Sequence, residues 1–407
     1  MNKIKARFAD SPVATSMHTS RNAFSLRTGG HSGFMSRFSE STEHLLIMIV
    51  AGFCIVAILF FDGSVMAQPK PELQAHSRAE RGYSWSFPRD HGRHPSFQTE
   101  WWYYTGQLYD AEDEIFRSTP RFGFQLTFFR RSTLIDGKPH DQMLAHAAVT
   151  DLRRKKTFST ARVGGAEVGL AGASQSFLRV WSSDWTAESV GTDQMLRFSV
   201  PTDDGDYLLR LIIRDASLPW LQGEKGWSQK ANCSGCASQY YSLPRLAVSA
   251  DVLYGEARVT LKGIGWMDHE FMTNSLSDAQ VGWDWMGLML PDGRSVMVYR
   301  LRRQDGSVDF SAGSVRSKDG EKPLAGSDFT MTPLENWSSP TGKGVYPIRW
   351  RLDIPSEGIQ KIIDARVRDS EIGNEGAMRY WEGPVASQDE ALIGYLEMTG
   401  YDERVKF

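Results

Sequence analysis

The chain has 407 residues, with 46 Lys and Arg against 49 Asp and Glu and a formal net charge of −3. That length predicts two domains with room for a core in each, and a balance so near neutral leaves no electrostatic footprint for nucleic acid. Thirteen Trp, 21 Phe, 13 Tyr and 37 Gly, distributed over short alternating runs, point to β structure rather than to helices.

Residues 1–44 are rich in Ser, Thr, Gly and Arg, with six Lys or Arg and three Asp or Glu and no periodicity. Residues 45–61, LLIMIVAGFCIVAILFF, carry no charge over 17 positions. A bilayer-spanning helix needs about 20 apolar residues, so this run lies between a signal-peptide core and a span. Ser64-Val65-Met66-Ala67 sets small or β-branched residues at the spacing a signal peptidase reads. Residues 1–67 are therefore expected to be an export segment cleaved after Ala67. The rival reading is an uncleaved single-pass anchor to the inner membrane through residues 45–61. Either one exports the remainder, most simply to a bacterial periplasm, and the long preamble leaves Met35 or another internal Met as an alternative start. Residues 68–82, with Pro69 and Pro71, read as a linker.

Order is expected from Tyr83. His91 and His94 sit three apart in a turn-rich stretch, but no third metal ligand is evident and no metal is expected. EWWYYTGQL (100–108) reads as a strand covered on both faces, and FGFQLTFF (122–129) alternates and pairs naturally with it. Further short strands follow at 142–151, 178–181, 196–200 and 207–214, separated by Gly, Asp, Ser and Pro. No βαβ rhythm and no GxGxxG occurs, so the expectation is an antiparallel barrel or sandwich without a cofactor. Residues 219–238 form a long loop carrying Cys233 and Cys236. A second CxxC or a close His pair is missing, and no strand runs into a helix here. In an oxidising compartment Cys-Ser-Gly-Cys then reads as a small local disulfide. Arg245, at the start of the next strand, either balances carboxylates downstream or is a solvated strand end.

Residues 263–290, GIGWMDHEFMTNSLSDAQVGWDWMGLML, join Trp266, Trp283 and Trp285 to Asp268, His269, Glu270 and Asp284. Burial beside rings and other titratable groups can bring a carboxyl towards neutrality, as general acid–base work requires. The strand expected over 256–266 delivers the acids to its end. Alternation places Asp268 and Glu270 on the face of Trp266 and His269 opposite, and Asp284 on the face opposite Trp283 and Trp285. A hairpin about Pro291-Asp292-Gly293 joins strands at 281–290 and 294–303, with Arg300, Arg302 and Arg303 outward. This hairpin echoes the 101–131 region and suggests two related β domains in tandem. Strands recur at 308–310, 329–331, 348–354 and 359–368. Glu382 and Glu397 lie in aromatic company near the end; they are read as buried acids paired to arginine ahead of a site role.

TEWWYYTGQL (99–108), ASQYYSLPRL (237–246), GWMDHEF (265–271), GWDWMGLMLPDGRSVMVYRLR (282–302), YWEGPV (380–385) and GYLEMTGY (394–401) together resemble the AttH and hydroxyneurosporene-synthase family. These lipocalin-like proteins include carotenoid hydratase and predicted secreted hydrolases. The resemblance implies an all-β chain of two lipocalin-like antiparallel barrels in tandem, here 83–262 and 263–407. It implies a long hydrophobic ligand, lipid- or isoprenoid-like, in a barrel cavity, with hydratase- or hydrolase-like activity. In that activity Asp268 would be the acid, with His269 and Glu270 tuning it and Asp284 behind. Trp266, Trp283, Trp285, Trp102, Tyr299 and Arg245 are the candidate binding residues. In the carotenoid hydratase branch an Asp-His pair is followed closely by Trp; Asp268 and His269 match it, and Phe271 stands at the aromatic position. That branch also carries an acid shortly after a Tyr on a later strand, whereas Tyr299 precedes Arg300, Leu301 and Arg302. GxSxG is absent, which disfavours a serine hydrolase. The alternative is a non-catalytic periplasmic lipid carrier working at the membrane surface with an ABC-type export permease.

Overall fold

The computed structural model describes residues 76–405 except 137, 166–168, 215–217, 275, 341–343 and 374–378. The expected export segment, 1–67, and most of the linker lie outside them. No helix among the described residues is long and apolar enough to cross a membrane. Within the expected linker, Ala79 is already buried, packed with Phe97, Ala237 and Phe271.

The described residues form two antiparallel sheets. The first comprises β1 (Thr99–Tyr109), β2 (Phe122–Ile135), β3 (Lys138–Asp151), β4 (Lys156–Gly165), β5 (Ala171–Ala173), β6 (Arg179–Ser182), β7 (Trp185–Val190), β8 (Asp193–Thr202), β9 (Gly205–Arg214), β10 (Trp220–Leu221), β11 (Trp227–Gln229), β12 (Ala237–Tyr254) and β13 (Ala257–Met272). Their order is β4-β3-β2-β1-β13-β12-β9-β8-β7-β6-β5, with β10 and β11 added to β12. The second sheet comprises β14 (Gln280–Met289), β15 (Ser295–Arg303), β16 (Val308–Ser317), β17 (Gly320–Ala325), β18 (Thr330–Ser338), β19 (Val345–Ile354), β20 (Ile359–Ala365), β21 (Glu371–Ile372), β22 (Tyr380–Ser387) and β23 (Ile393–Thr399). It runs β17-β16-β15-β14-β23-β22-β20-β19-β18. The first sheet curls into a nearly closed barrel and the second into a half-barrel, a lipocalin-like arrangement.

In both sheets the first strand pairs with the second and with the last: β1 with β2 and β13, β14 with β15 and β23. The echo between the two aromatic hairpins is therefore topological. The division between the sheets differs from the expected 262/263. β13 runs unbroken through Gly263, and the chain changes sheet between Met272 and Gln280. Gly263 would be a poor breakpoint, because its Cα packs where a Cβ would meet the Gln107 carbonyl at 2.6 Å.

Strand alternation makes three cores. Trp102, Tyr104, Phe124, Leu126 and their neighbours fill the first barrel. Met286, Leu288, Val298 and Trp350 belong to the core of the half-barrel. The third cluster lies between the sheets, where Tyr103, Tyr240 and Trp266 of the first meet Trp285, Tyr299 and Tyr395 of the second. Gln107 ties the sheets together, its Nε2 donating to the carbonyls of Gly394 (2.8 Å) and Val385 (3.2 Å). Close approach is possible there because position 123 is Gly; a Cβ would lie 2.8 Å from Pro384 and 2.9 Å from the Tyr395 hydroxyl.

Candidate active site between the sheets

β13 lies between β1 and β12, and cross-strand partners share a face. Tyr103 and Ser242 stand opposite Asp268, Trp101 and Tyr240 opposite Glu270, and Trp102 and Tyr241 opposite His269. Trp266, Asp268 and Glu270 thus face the second sheet, while His269 faces the first barrel, as the alternation predicts. The strand extends six residues beyond Trp266, so the acids sit within it and not at a barrel mouth.

A cavity of about 390 Å³ opens between the sheets, within the usual range of small-molecule sites. Trp101, Tyr103 and Tyr240 line it from one side and Trp283, Trp285 and Tyr299 from the other. Val163 and Gln142, both exposed, mark its mouth. The ligand space is thus shared by the two sheets, which corrects the expectation of a cavity inside one barrel.

Asp268 is 4% exposed. Its Oδ1 accepts from Ser242 Oγ (2.5 Å) and Trp266 Nε1 (2.8 Å), and its Oδ2 from the Tyr240 hydroxyl (2.8 Å). Burial pushes its carboxyl up to about 7; the three donors oppose that rise and the Glu270 charge adds to it. Such a group exchanges protons at neutral pH. Glu270 is neutralised differently. Its Oε1 lies 2.7 Å from Lys230 Nζ and also accepts from Ser238 Oγ. Burial disfavours the Lys230 charge, but the Glu270 carboxylate more than reverses this and holds the ammonium above its ordinary value. The same ammonium lies over the rings of Tyr299 (4.4 Å) and Tyr240 (5.0 Å).

Lys230 comes from the long loop, and that loop shows what the cysteines do. Cys233 and Cys236 form a disulfide. The Lys230 amide donates to the Cys236 carbonyl (2.9 Å), and its carbonyl accepts from Gln280 Nε2 (2.8 Å). The crosslinked turn therefore anchors the residue that neutralises Glu270.

Two more carboxyls enter the cavity from the second sheet. Glu382 of β22 and Glu397 of β23 stand opposite each other in register. Among the described residues neither pairs with arginine, which corrects that reading. Glu397 Oε1 accepts from Trp283 Nε1 (3.2 Å). Part of its side chain is exposed, and that surface belongs to the cavity wall. Burial pushes it up to about 8, against the Trp283 hydrogen bond and with help from the Asp268 and Glu270 charges. Glu382, 1% exposed, lies deeper; its oxygens make no well-formed hydrogen bond among the described residues, and the Tyr103 hydroxyl is a donor beside them that opposes the rise. Burial and the adjacent Glu397 hold its carboxyl well above the usual range.

Other expected site residues lie elsewhere. His269 Nε2 meets Glu100 Oε1 (2.9 Å), its Nδ1 the Tyr241 hydroxyl (3.1 Å), and its ring stacks on Trp102. Neither His269 nor Trp102 reaches the cavity, so His269 does not tune Asp268 by contact. Asp284 points into the half-barrel, paired with Arg300 (2.6 Å) and Arg302 (3.1 Å) and accepting from Tyr401 (3.0 Å). It does not position water for Asp268, and it draws Arg300 and Arg302 inward against expectation: Arg302 is buried and Arg300 lies over the Trp350 ring, while Arg303 is exposed as expected. Arg245 occupies a bulge of β12 at φ +60° and donates to the carbonyl of Leu290 (2.9 Å), away from Asp268. Trp266 stands behind the cavity wall, edge-on to Trp285, with its indole N–H on Asp268.

His94, Glu100 and His269 bring three donor atoms within 4.8 Å. Glu100 Oε1 already meets His94 Nδ1 (2.7 Å) and His269 Nε2, while its Oε2 accepts from Arg130 Nε (3.0 Å). Lone pairs spent on one another and an adjacent guanidinium fit a buried ion network better than a cation site. His91 is separate from it, bonded to the Tyr241 hydroxyl (2.7 Å).

Lys230, Tyr240, Ser242 and the Glu382–Glu397 pair complete the site beyond the residues chosen from sequence. Tyr240 and Ser242 lie in the ASQYYSLPRL motif, two residues apart and hence on one face. Lys230 gives no signal, because a loop lysine has no period to read.

Two antiparallel sheets enclosing an acidic, aromatic cavity define a lipocalin-like β protein. A model of AttH-like proteins matches residues 78–401, and the chain belongs to that family. Among solved structures, an AttH protein of Nitrosomonas europaea is similar with a TM-score of 0.71 and 28% identity, over 80% of this chain and 99% of its own. Kievitone hydratase from Nectria haematococca shares the fold with a TM-score of 0.57 and 14% identity, over 82% of this chain and 98% of its own. No curated sequence matches the chain significantly.

Proposed function

We propose that the protein binds an elongated apolar molecule, lipid- or isoprenoid-like, between its sheets and adds water across a carbon–carbon double bond of it, or removes water in reverse. The observation that carries this reading is Asp268: a carboxyl brought near 7 by burial, fixed by three donors, on the wall of a cavity that eight aromatic side chains help to line. Alkene hydration needs an acid that protonates carbon and a base that relieves the attacking water, and groups titrating near neutral pH serve both. Tryptophan and tyrosine faces suit the cationic carbon that protonation creates. Kievitone hydratase is a hydratase by name, and its likeness here supplies the fold alone.

Incubation with squalene, followed by mass spectrometry, tests the reading. A product heavier by one water, lost in Asp268→Asn with the fold and apolar-probe binding intact, is the expected result. A lipid that co-purifies, is extractable with organic solvent and is never altered would instead favour the carrier reading. Unchanged turnover in Asp268→Asn would remove Asp268 from the chemistry. Export belongs to the same proposal, supported by the Cys233–Cys236 crosslink, which suits an oxidising compartment. A mature N-terminus at Gln68 is expected, and one before residue 45 would refute cleavage.

A further inference from the structure

Four carboxyls share the cavity, and they are compensated unequally. Glu270 has Lys230, and Asp268 has three neutral donors. Glu382 and Glu397 have between them two neutral donors, the Trp283 indole N–H on Glu397 and the Tyr103 hydroxyl beside Glu382, and no cation among the described residues. They are cross-strand neighbours on one face, where Cβ atoms lie about 4.5–5.5 Å apart and like charges repel. Two anions cannot be held there in apolar surroundings without a cation, so the pair retains at least one proton.

The groups that face the pair are mostly neutral or acidic. β1 presents Tyr103, whose buried hydroxyl interacts with the Glu382 carboxyl and is a neutral donor, not a cation. β13 presents Asp268 and Glu270, whose charges oppose a further anion at Glu397. β14 presents Trp283, and β22 and β23 add the Tyr380 and Tyr395 phenols. Of the cations lining the cavity, Lys230 is held by Glu270, and Arg130 by Glu100 and Asp141. Arg131, from β2, donates to Thr99 at 3.4 Å.

We propose that Glu397, backed by Glu382, is the proton donor to the apolar substrate, and that Asp268 across the cavity is the carboxylate that accepts the proton released by the attacking water. This rests on the hydration reading above and divides its labour. Glu397 gives its proton to one alkene carbon, forming a C–H bond from the π pair. Water oxygen bonds the neighbouring cationic carbon, and its surplus proton goes to Asp268. Transfer of that proton back to Glu397 closes the cycle, with one alkene and one water becoming one alcohol and no redox change. Glu397 touches the cavity; Glu382, deeper, acts through it as a positioning residue.

Infrared spectroscopy of the whole protein tests the protonated pair without any substrate. Near neutral pH a carboxylic-acid C=O band is expected, most of which disappears in Glu382→Gln/Glu397→Gln; the share due to Asp268 is removed separately by Asp268→Asn. A second readout is the neutral probe N-phenyl-1-naphthylamine. Its affinity should fall roughly tenfold between about pH 7.5 and pH 9.5 as the pair ionises in an apolar site, and stay level in Glu397→Gln. An undiminished acid band in the double variant, or an equal loss of probe affinity in Glu397→Gln, overturns the assignment. If the double variant does not fold, Glu397→Gln alone carries both measurements with the same outcomes. Failure of the hydration reading looks different: squalene stays unaltered while the band and the pH-dependent probe binding persist, which removes the donor role and leaves only a protonated pair. Squalene turnover retained in Glu397→Gln overturns the donor role while leaving hydration intact.

Discussion

On one face of β13, His269 meets Glu100 and Tyr241; on the other, Asp268 and Glu270 meet the cavity. Both environments are buried and rich in titratable groups. They differ in how charge is balanced. Around Glu100 two imidazoles and the Arg130 guanidinium converge, and Arg130 is also held by Asp141 and the carbonyls of His94 and Phe97. Burial alone would raise the Glu100 carboxyl, but His94 and His269 hold it far below its ordinary value. In the cavity only Lys230 among the groups bonded to the four acids carries a positive charge, and Asp268 and Glu397 are raised instead. The comparison teaches that buried charge as such does not mark a site. Saturated charge closes on itself in a buried ion network, and deficient charge leaves protons that can move.

Removing the saturation at Glu100 should have the largest effect on stability. Glu100→Gln leaves Arg130, His94 and His269 without their shared anion, and breaking a buried ion network costs about 3–5 kcal/mol. Chemical denaturation should show that loss, and a change below about 1 kcal/mol would mean the cluster is not a structural unit. Asp268→Asn should do the reverse. Stability holds, while turnover falls by about 10²–10⁴-fold, the usual contribution of a general acid or base. Its linkage has a definite sign. Because burial raises the folded carboxyl from 3.8 to about 7, the native state binds the extra proton in that window, and its contribution to stability declines as pH rises through it. Thermal melts of Asp268→Asn across that window should show a flatter pH dependence than the unsubstituted protein; an identical slope would contradict the raised value.

Much of the contrast could be read in advance, for local reasons. Alternation over Trp266–Glu270 separates His269 from the two acids whatever the rest of the chain does, and β1 and the β14–β15 hairpin follow from periodicity and the Pro291-Asp292-Gly293 turn. What alternation cannot say is which face meets a cavity and which meets a core. Adjacency in sequence therefore places His269 beside Asp268, and Trp102 beside aromatic neighbours, although both side chains face away from the cavity. Arg302 looked solvent-facing because nothing local announces Asp284 as its buried partner. Glu382 and Glu397, 15 positions apart, become a pair only through the register of β22 and β23. The 262/263 boundary shifts for a similar reason: β13 belongs to the first sheet through its pairing with β1 and β12, and the chain changes sheet only between Met272 and Gln280.

Smaller effects are expected from changes at the cavity lysine and the turn that anchors it. Lys230→Met removes the ammonium bonded to Glu270 and leaves a buried carboxylate with only Ser238. A stability loss of about 1–3 kcal/mol follows from the unpaired group. Chemical denaturation should show that loss, and an unchanged stability would mean that the ion pair is not structural. Lys230 also interacts favourably with the Asp268 charge, so its removal should move the pH midpoint of Asp268-dependent turnover upward. A midpoint that stays fixed would show that the loop lysine serves stability alone.

The smallest effect is expected from Cys233→Ser/Cys236→Ser. The crosslink closes a loop of sequence separation 3, and so short a loop gives little chain-entropy stabilisation, about 2 kcal/mol at most. Its consequence should instead be positional. The Lys230 amide donates to the Cys236 carbonyl, so loosening this turn loosens the anchor of the lysine. The double serine variant should resemble a mild Lys230→Met, with a small upward shift in the turnover midpoint and near-normal melting. Combining it with Lys230→Met should then add nothing further to that shift, because the crosslink acts on the cavity through Lys230. Additive shifts would mean that the turn reaches the carboxyls by another route, with Gln280, which bonds the Lys230 carbonyl and Asp309, the first residue to substitute next.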